Sequence, residues 1–344
     1  MPDPHKQRIE EPYSLSEGED CADEILTAGE DRTGEILTAR IPEQLDGARL
    51  DAVLGTLFPD RSRSFWQNRM EEGHVTCDGT AVTKAGKKGK AGQTLQVILP
   101  QAEPAQILPE NIPLDILYED KDLIVVNKPK GMVVHPAPGH YTGTLVNALM
   151  YHCRDSLSGI NGVLRPGIVH RIDQNTTGSL VAAKNDAAHE SLAAQFKEHS
   201  ITRSYRAIVH GRLSEDSLLI DEPIGRHPKD RKKMAVLKAS QGSARRAVTH
   251  VRVLERFSSF TYVECILETG RTHQIRVHMS YIGHPVLGDD VYGPKKCPFR
   301  LEGQTLHAMV LGFLHPATEE YMEFTAPLPA YFTHLLTQLR SRSV

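Results

Sequence analysis

Two long apolar segments in the second half of the chain constrain the fold most. They read ARRAVTHVRVLERF (244–257) and FTYVECILETG (260–270), and only Ser258 and Ser259 separate them. Extended runs of this kind, rich in β-branched and aromatic residues and joined by a short polar loop, predict a hairpin of two antiparallel strands. Upstream, LIVVNKP (123–129) predicts a buried strand that ends at a proline. Strands in succession favour an α+β fold with a largely antiparallel mixed sheet over alternating βαβ units.

Helices are fewer in this part of the chain. TLVNALMYHC (144–153) and DAAHESLAAQFKEHS (186–200) are the two predicted ones, and Asp186 is the predicted N-cap of the second. The apolar residues of that helix recur on one face: Ala188, Leu192 and Phe196. The glycine-rich motifs of nucleotide-cofactor folds are absent from the sequence.

The charge is distributed unevenly along the chain. Residues 1–40 carry eleven acidic and four basic residues, whereas residues 41–344 carry 32 acidic and 36 basic ones. The first segment repeats EILTA at 24–28 and 35–39 and has few other apolar residues, so we expect residues 1–45 to form a disordered acidic tail. A basic body behind such a tail is compatible with a polyanionic partner.

Residues 46–100 have the pattern of a small α/β domain. Leu50, Val53, Leu54 and Leu57 predict one amphipathic helix, and Ser62 begins a second. HVTCDGTAV (74–82) then predicts a hairpin with Asp-Gly at its turn. Four prolines at 100–113 indicate a linker over residues 101–113 and leave residues 114–335 as the main domain.

Composition excludes several classes of protein. No run of about eighteen apolar residues is present, as a membrane helix would require. The N-terminal residues lack the pattern of a signal peptide. The five scattered cysteines contain no Cys-x-x-Cys pair and indicate reduced thiols, so we expect a cytoplasmic protein without membrane association.

The segment HRIDQNTTG (170–178) has two interpretations. Asp, Asn, Thr and Gly are turn formers, so it is compatible with a plain connection between strands. It is also compatible with a nucleophilic Asp173 beside Arg171 at the start of a strand. The residues of this segment alone do not decide between them.

Other motifs of the chain favour the catalytic interpretation of this segment. HRIDQNTTG resembles the H-R-L-D-x-x-T-S-G motif of the RluA/RluD-type pseudouridine synthases, with Gln174-Asn175 where that family usually has Lys-Asp. SYRAIVHG (204–211) matches the second motif at Tyr205, and GRTHQIRVH (270–278) matches the third. NKPKGMVVHP (127–136) matches an upstream signature. The three motifs occur in the family's order, and the resemblance spans residues 114–330.

The resemblance implies a role for each matched residue. Asp173 is the implied nucleophile or base, and Arg276 is the cation that keeps the buried carboxylate ionised. Tyr205 would stack on the displaced base or assist proton transfer. Arg171 would fill the gap in the RNA or hold a flanking phosphate, while His170 and Arg271 would support the site. The reaction conserves all atoms, so we expect no cofactor.

The 46–100 unit resembles an S4 RNA-binding domain in its R-L-D opening, S-R-S helix start and final K-A-G-Q. Basic residues on such a unit are candidates for phosphate contact. They are Arg61, Arg63, Arg69, Lys87, Lys88 and Lys90.

The expected function is therefore isomerisation of specific uridines to pseudouridine, in large-subunit ribosomal RNA, by a monomer. A tRNA-directed synthase and a catalytically inactive RNA-binding protein are the alternatives. His273, His278 and His284 lack the spacing of a metal-binding helix, so we expect no metal.

Overall fold

The computed structural model describes residues 29–31, 34–84, 86–99, 107–136, 140–160, 165–230, 233–237 and 244–342. The chain divides into two compact units, Met1–Pro104 and Ala105–Val344. No helix in the described ranges is long and apolar enough to cross a membrane.

In the part that the structure describes, the first unit is an antiparallel five-stranded sheet with two helices. Its strands are β1 (Gly29–Asp31), β2 (Gly34–Arg40), β3 (Val75–Cys77), β4 (Thr80–Ala81) and β5 (Thr94–Leu99), and its helices are α1 (Leu50–Leu57) and α2 (Arg63–Glu71). The strand order is β1-β2-β5-β3-β4. Leu50, Val53 and Leu54 of α1 pack against Trp66 and Met70 of α2 in its core.

Local signals explain these elements. The Ser62 hydroxyl accepts a hydrogen bond from the backbone N–H of Phe65 and so caps α2. Asp78 and Gly79 both have positive φ, 49° and 75°, as a two-residue hairpin turn requires. The helices and the hairpin expected in this unit are therefore confirmed.

The expectation of disorder over residues 1–45 is wrong for residues 29–31, which form β1, and for residues 34–45. Residues 35–40 of β2 pair with β5, and Glu43–Leu45 forms a 3-10 turn. Leu37, Ala39 and Ile41 recur at every second position and pack into the core, and this period of two was the overlooked signal. The first EILTA copy lies outside the described residues.

The described part of the second unit contains a nine-stranded sheet, a separate two-stranded pair and four helices. The strands are β6 (Ile116–Glu119), β7 (Leu123–Lys128), β8 (Thr177–Ala183), β9 (Thr202–His210), β10 (Ser217–Asp221), β11 (Ile224–Arg226), β12 (Met234–Val236), β13 (Val248–Arg256), β14 (Phe260–Leu267), β15 (Leu306–Leu314) and β16 (Tyr321–Thr325). The helices are α3 (Leu145–Cys153), α4 (Asp186–Glu198), α5 (Gln274–Tyr281) and α6 (Ala330–Ser341).

The sheet order is β10-β13-β14-β9-β15-β8-β7-β6, with β16 beside β15 and a separate β11–β12 pair. Only β8 and β15 pair in parallel among the described strands. The α+β architecture with a largely antiparallel mixed sheet is thus confirmed. Alternate residues of β7 and β8 pack against α3 on one face and α4 on the other, which explains why both strands are apolar throughout.

Three details differ from expectation. Residues 107–113, predicted as linker, belong to the second unit, because Ile107 is buried in its core and the Glu110 N–H donates to the Asn147 carbonyl. Asn185, not Asp186, caps α4. Helices α5 and α6 had not been predicted.

Candidate active site

Asp173 lies in the loop that precedes β8 and faces a cavity of about 60 Å³. Its side chain is 20% exposed. The loop turns tightly, because the Thr176 N–H donates to the Asp173 carbonyl at 3.0 Å. Among the described residues that line the cavity, Asp173 is the only carboxylate.

Arg276, on α5, forms the ion pair with Asp173 that the sequence analysis expected. Its Nη1 donates to Asp173 Oδ2 at 2.9 Å, and its side chain is only 5% exposed. The other edge of the guanidinium binds Asp289, with Nε to Oδ2 at 2.7 Å and Nη2 to Oδ1 at 3.0 Å. Burial opposes the charge, but the Asp289 and Asp173 carboxylates outweigh it and raise the pKa of Arg276.

Tyr205 lies at the centre of the sheet, on β9 between β14 and β15, where its Cα partners are Cys265 and Ala308. Its ring packs against the apolar clusters on both sides and lines the same cavity as Asp173. Burial raises the pKa of its hydroxyl, so the group is protonated at neutral pH. The site therefore places an aromatic ring beside a carboxylate.

Lys128, at the end of β7, fixes the Asp173 loop from behind. It is fully buried and donates to three carbonyls, those of Pro129, Met132 and Gln174, at 2.8–2.9 Å. Burial lowers the pKa of Lys128 to about 7, an effect that the Asp173 charge opposes. The backbone following Asp173 is thereby held by one lysine side chain.

Gly178 of the same motif allows β8 to approach β15. Its φ is +111°, and a Cβ at this position would lie 2.1 Å from the Ala308 carbonyl oxygen. Any other residue would push apart the two parallel strands that carry the Asp173 loop and part of the cavity wall. The glycine of HRIDQNTTG is therefore a structural requirement.

His170 and Arg171 precede Asp173 but lie in different surroundings. His170 Nε2 accepts from the Val181 N–H at 3.1 Å, and its ring stacks on Phe196 at 4.3 Å. Burial lowers the pKa of His170 to about 3, so it is a neutral acceptor at physiological pH. Arg171 is exposed at the rim of the cavity, with Nη1 3.4 Å from His135 Nε2.

Arg271 and His273 complete the wall between Asp173 and α5. Arg271 Nε donates to the Arg246 carbonyl at 3.0 Å, which fixes the side chain along the cavity. His273 Nε2 lies 3.7 Å from Asp173 Oδ1, too far for a hydrogen bond but close enough for its charge state to matter. Burial lowers the pKa of His273, and the Asp173 charge opposes that effect.

The structure divides the six candidate RNA-binding residues of the first unit. Arg63 binds the fully buried Asp51 through both Nε and Nη2, and Arg49 binds it as well. Arg69 pairs with Glu72. Arg63 and Arg69 therefore have structural partners.

The remaining four are exposed: Arg61, Lys87, Lys88 and Lys90. The lysine loop has a fixed backbone, because the Leu50 N–H donates to the Lys87 carbonyl and the Gly89 N–H donates to that of Ala48. These ammonium groups are thus presented from a defined loop.

The three histidines weighed as metal ligands lie in separate settings. His273 is beside Asp173, and His284 Nδ1 lies against a backbone carbonyl. Both ring nitrogens of His278 are within 2.9 Å of oxygen partners, Thr249 Oγ1 and the Glu222 carbonyl. Hydrogen bonds therefore occupy both ring nitrogens of His278.

One cluster in the described ranges has metal-ligand composition: Asp120, Asp122 and His315. Its chemistry does not fit a metal. His315 Nδ1 accepts from the N–H groups of Ala317 and Thr318, so the proton is on Nε2. The Nε2–H group donates to Asp120 Oδ2 at 2.8 Å. Neither ring nitrogen of His315 therefore has a free lone pair to bind a cation.

Comparison with known proteins agrees with this geometry. Residues 122–281 match the RNA pseudouridylate synthase family. A relative from Bacillus subtilis (strain 168), called the uncharacterized RNA pseudouridine synthase YlyB, is 55% identical over 298 residues, covering 87% of this chain and 96% of the relative. The chain belongs to the RNA pseudouridine synthase family. It is therefore an isomerase.

Further comparisons extend this assignment. The ribosomal large subunit pseudouridine synthase D of Zymomonas mobilis is 49% identical over 297 residues, covering 84% of this chain and 93% of the relative. The structure of human RNA pseudouridylate synthase domain containing 1 aligns with a TM-score of 0.52 and 29% identity, covering 67% of this chain and 96% of that one.

Sequence reasoning missed two residues of the candidate site. Asp289 and His273 both lie within GRTHQIRVHMSYIGHPVLGDDVYG (270–293), from which only arginines had been assigned to the site and in which His273 had been weighed only as a metal ligand. His273 has positive φ, 57°, and begins α5, so its position depends on the fold of this segment. Asp289 follows Arg276 by thirteen residues, and only the return of the chain after α5 brings the two together.

Proposed function

We propose that the protein isomerises uridine in large-subunit ribosomal RNA, with Asp173 as the nucleophile. The reaction breaks the bond between N1 of the base and C1′ of the sugar and forms a bond from C5 to C1′. The C5 hydrogen is lost to solvent, and N1 gains a proton. All atoms of the base are conserved, so the chemistry needs neither an oxidant nor an energy source.

The observation that carries the proposal is the single carboxylate of the cavity. Enzymes that hydrolyse glycosidic bonds generally use two carboxylates, one of which activates water or protonates the leaving group. Here the second nearby carboxylate, Asp289, is 2% exposed, and both its oxygens bind Arg276. An isolated Asp173 beside an aromatic ring suits a reaction that must exclude water.

Three features support RNA, and ribosomal RNA in particular, as the substrate. The Zymomonas mobilis relative is named for the ribosomal large subunit. The cavity rim carries Arg171 and Arg271. The first unit, which we take to be an S4-type RNA-binding domain, presents Arg61 and three lysines. Ribosomal RNA as substrate would place the enzyme in the cytoplasm.

Tritium release tests the proposal directly. Unmodified ribosomal and transfer RNA transcripts carrying 5-tritiated uridine are incubated with wild type and with Asp173→Asn, in metal-free buffer. We expect wild type, but not the variant, to release tritium from large-subunit RNA. Release from transfer RNA alone would reassign the substrate, and binding without release from any RNA would favour an inactive RNA-binding protein.

A further inference from the structure

A second cavity, of about 470 Å³, adjoins the candidate active site and shares Arg171, Tyr205 and Arg271 with it. Its wall adds two more cations, Lys197 at the end of α4 and Arg203 on β9. No Asp or Glu is among the described residues that line it. The cavity is therefore built for negative charge.

Arg203 is the unusual member of this set. It is 7% exposed, yet no carboxylate of the described residues lies within ion-pair distance of its guanidinium. Its Nε has no hydrogen-bond partner in the described part of the chain, and Nη2 makes only a long bond, 3.4 Å, to the Glu268 carbonyl. A buried charge of this kind is costly unless something pairs with it.

Gly270 leaves the space that this guanidinium occupies. A Cβ at position 270 would lie 2.5 Å from Arg203 Nη1. The Phe196 ring lies on another side, with its centroid 5.9 Å from the guanidinium carbon. The glycine and the aromatic ring hold the Arg203 guanidinium in place, but most of its five N–H donors have no acceptor among the described residues.

We propose that Arg203, assisted by Lys197, binds a phosphodiester of the RNA strand next to the target uridine. The proposal rests on the proposed function. A guanidinium fork matches two phosphate oxygens, and a phosphate would supply the missing counter-charge. Arg203 and Tyr205 are two residues apart on β9, so their side chains share one face about 7 Å apart along the strand. A base stacked on Tyr205 would thus keep its own phosphate beside Arg203.

The first test uses Arg203→Met, because a phosphate-binding role and a structural role predict opposite changes. Without RNA, we expect Arg203→Met to melt at a higher temperature than wild type, since an unpaired buried charge is removed. With RNA, its affinity should be about ten- to a hundredfold lower, as for loss of a charged hydrogen bond. Arg203→Lys keeps the positive charge but not the planar guanidinium, so its affinity for RNA should lie between those of wild type and Arg203→Met. A lower melting temperature with unchanged affinity would overturn the proposal.

Lys197→Gln provides a second variant that cannot compromise the core, because Lys197 is exposed. Its matched control is Lys121→Gln, an exposed lysine of the same unit outside both cavities. The slope of log affinity against log salt should decrease by about 0.7 for Lys197→Gln and stay at the wild-type value for the control. Equal slopes for all three proteins would remove Lys197 from the site.

Methylphosphonate RNA identifies the phosphate. Each methylphosphonate neutralises one phosphate, on either side of the uridine. Neutralisation on only one of the two sides should weaken binding by wild type, and it should not weaken binding by Arg203→Met. If inorganic phosphate stabilises wild type while wild type and Arg203→Met bind RNA with equal affinity, the cavity binds a free anion and the proposal is overturned. If no RNA releases tritium, the proposed function itself fails. If an RNA does release tritium but wild type and the variants bind it equally well, the proposed function stands and this inference alone fails.

Discussion

Asp289 binds the edge of Arg276 that faces away from Asp173, at 2.7 Å from Nε and 3.0 Å from Nη2. Asp289 Oδ1, the oxygen bound by Nη2, also accepts from the N–H groups of Val291 and Tyr292. The carboxylate is therefore fixed by the backbone of its own loop. Arg276 is therefore a positioned cation, and its Nη1 reaches Asp173 in one orientation only. Asp289 therefore acts as a positioning residue for Asp173, the proposed nucleophile.

Asp289→Asn should lower kcat while changing the KM for RNA much less. The amide turns a donor toward a guanidinium that needs two acceptors, so Arg276 shifts relative to Asp173. A displacement of about 1 Å at a reacting group can reduce the rate about a hundredfold. Steady-state tritium release gives both constants, and Asp289→Glu should restore part of kcat.

The matched control for this change is Asp290→Asn, because Asp290 is adjacent and exposed. It should behave as wild type. A wild-type kcat in Asp289→Asn would show that Asp173 alone orients Arg276.

Tyr205 variants separate the ring from the hydroxyl. Tyr205→Phe should bind substrate RNA as wild type does, whereas Tyr205→Ala should bind about ten- to a hundredfold more weakly, because a base–aromatic stack contributes about 1–3 kcal/mol. Fluorescence anisotropy measures the affinity, and Tyr151→Ala, at an exposed tyrosine of α3, is the control. Turnover by Tyr205→Phe then reports on the hydroxyl. Equal affinity of the Phe and Ala variants would contradict stacking.

Stability should fall in mild acid through His170. Burial lowers the pKa of this side chain to about 3 in the folded protein, against about 6.5 when unfolded. Below pH 6.5 the unfolded chain takes up a proton that the folded chain refuses, so the stability present above pH 6.5 is lost progressively toward pH 3. The contribution is about 1.4 kcal/mol per pH unit.

Thermal melts of wild type and His170→Gln at pH 7 and pH 5 measure this contribution. The glutamine can still accept from the Val181 N–H but does not titrate, so the variant should lose less stability between the two pH values. His334→Gln, at an exposed histidine of α6, should retain the wild-type dependence. Identical slopes for wild type and His170→Gln would show that this histidine is already neutral when unfolded or charged when folded.

The strands were the most predictable part of the fold. Runs such as 244–257 and 260–270 alternate and end at polar loops, so their hairpin follows from local pattern. Helix α5 gave no such signal, because Gln274 to Met279 are all buried and the polar and apolar residues of this stretch alternate instead of lying on separate faces. Helix α6, in contrast, carries an amphipathic pattern in its buried residues, Phe332, Leu335, Leu336 and Leu339, and could have been predicted.

The site was predictable to the extent that its residues lie in motifs. Asp173 and Arg276 are 103 residues apart, and the motif resemblance is what paired them before the structure did. Asp289 and Arg203 could not be assigned in this way. An acidic residue in a Gly-Asp-Asp loop is usually a turn former, and an arginine on a strand is usually exposed. Burial and partners, which only the fold determines, distinguish these two from such cases.

The lysine loop of the first unit should contribute to RNA binding through charge alone. Replacing Lys87, Lys88 and Lys90 by Gln should reduce the slope of log affinity against log salt by about 2, because each phosphate contact on single-stranded RNA contributes about 0.7. The backbone of the loop is bonded to the start of α1, so loss of the ammonium groups should leave the fold intact. Replacing the same three by Arg keeps the charge and should keep the slope. An unchanged slope in the Gln variant, with an unchanged melting temperature, would place the RNA elsewhere on this unit.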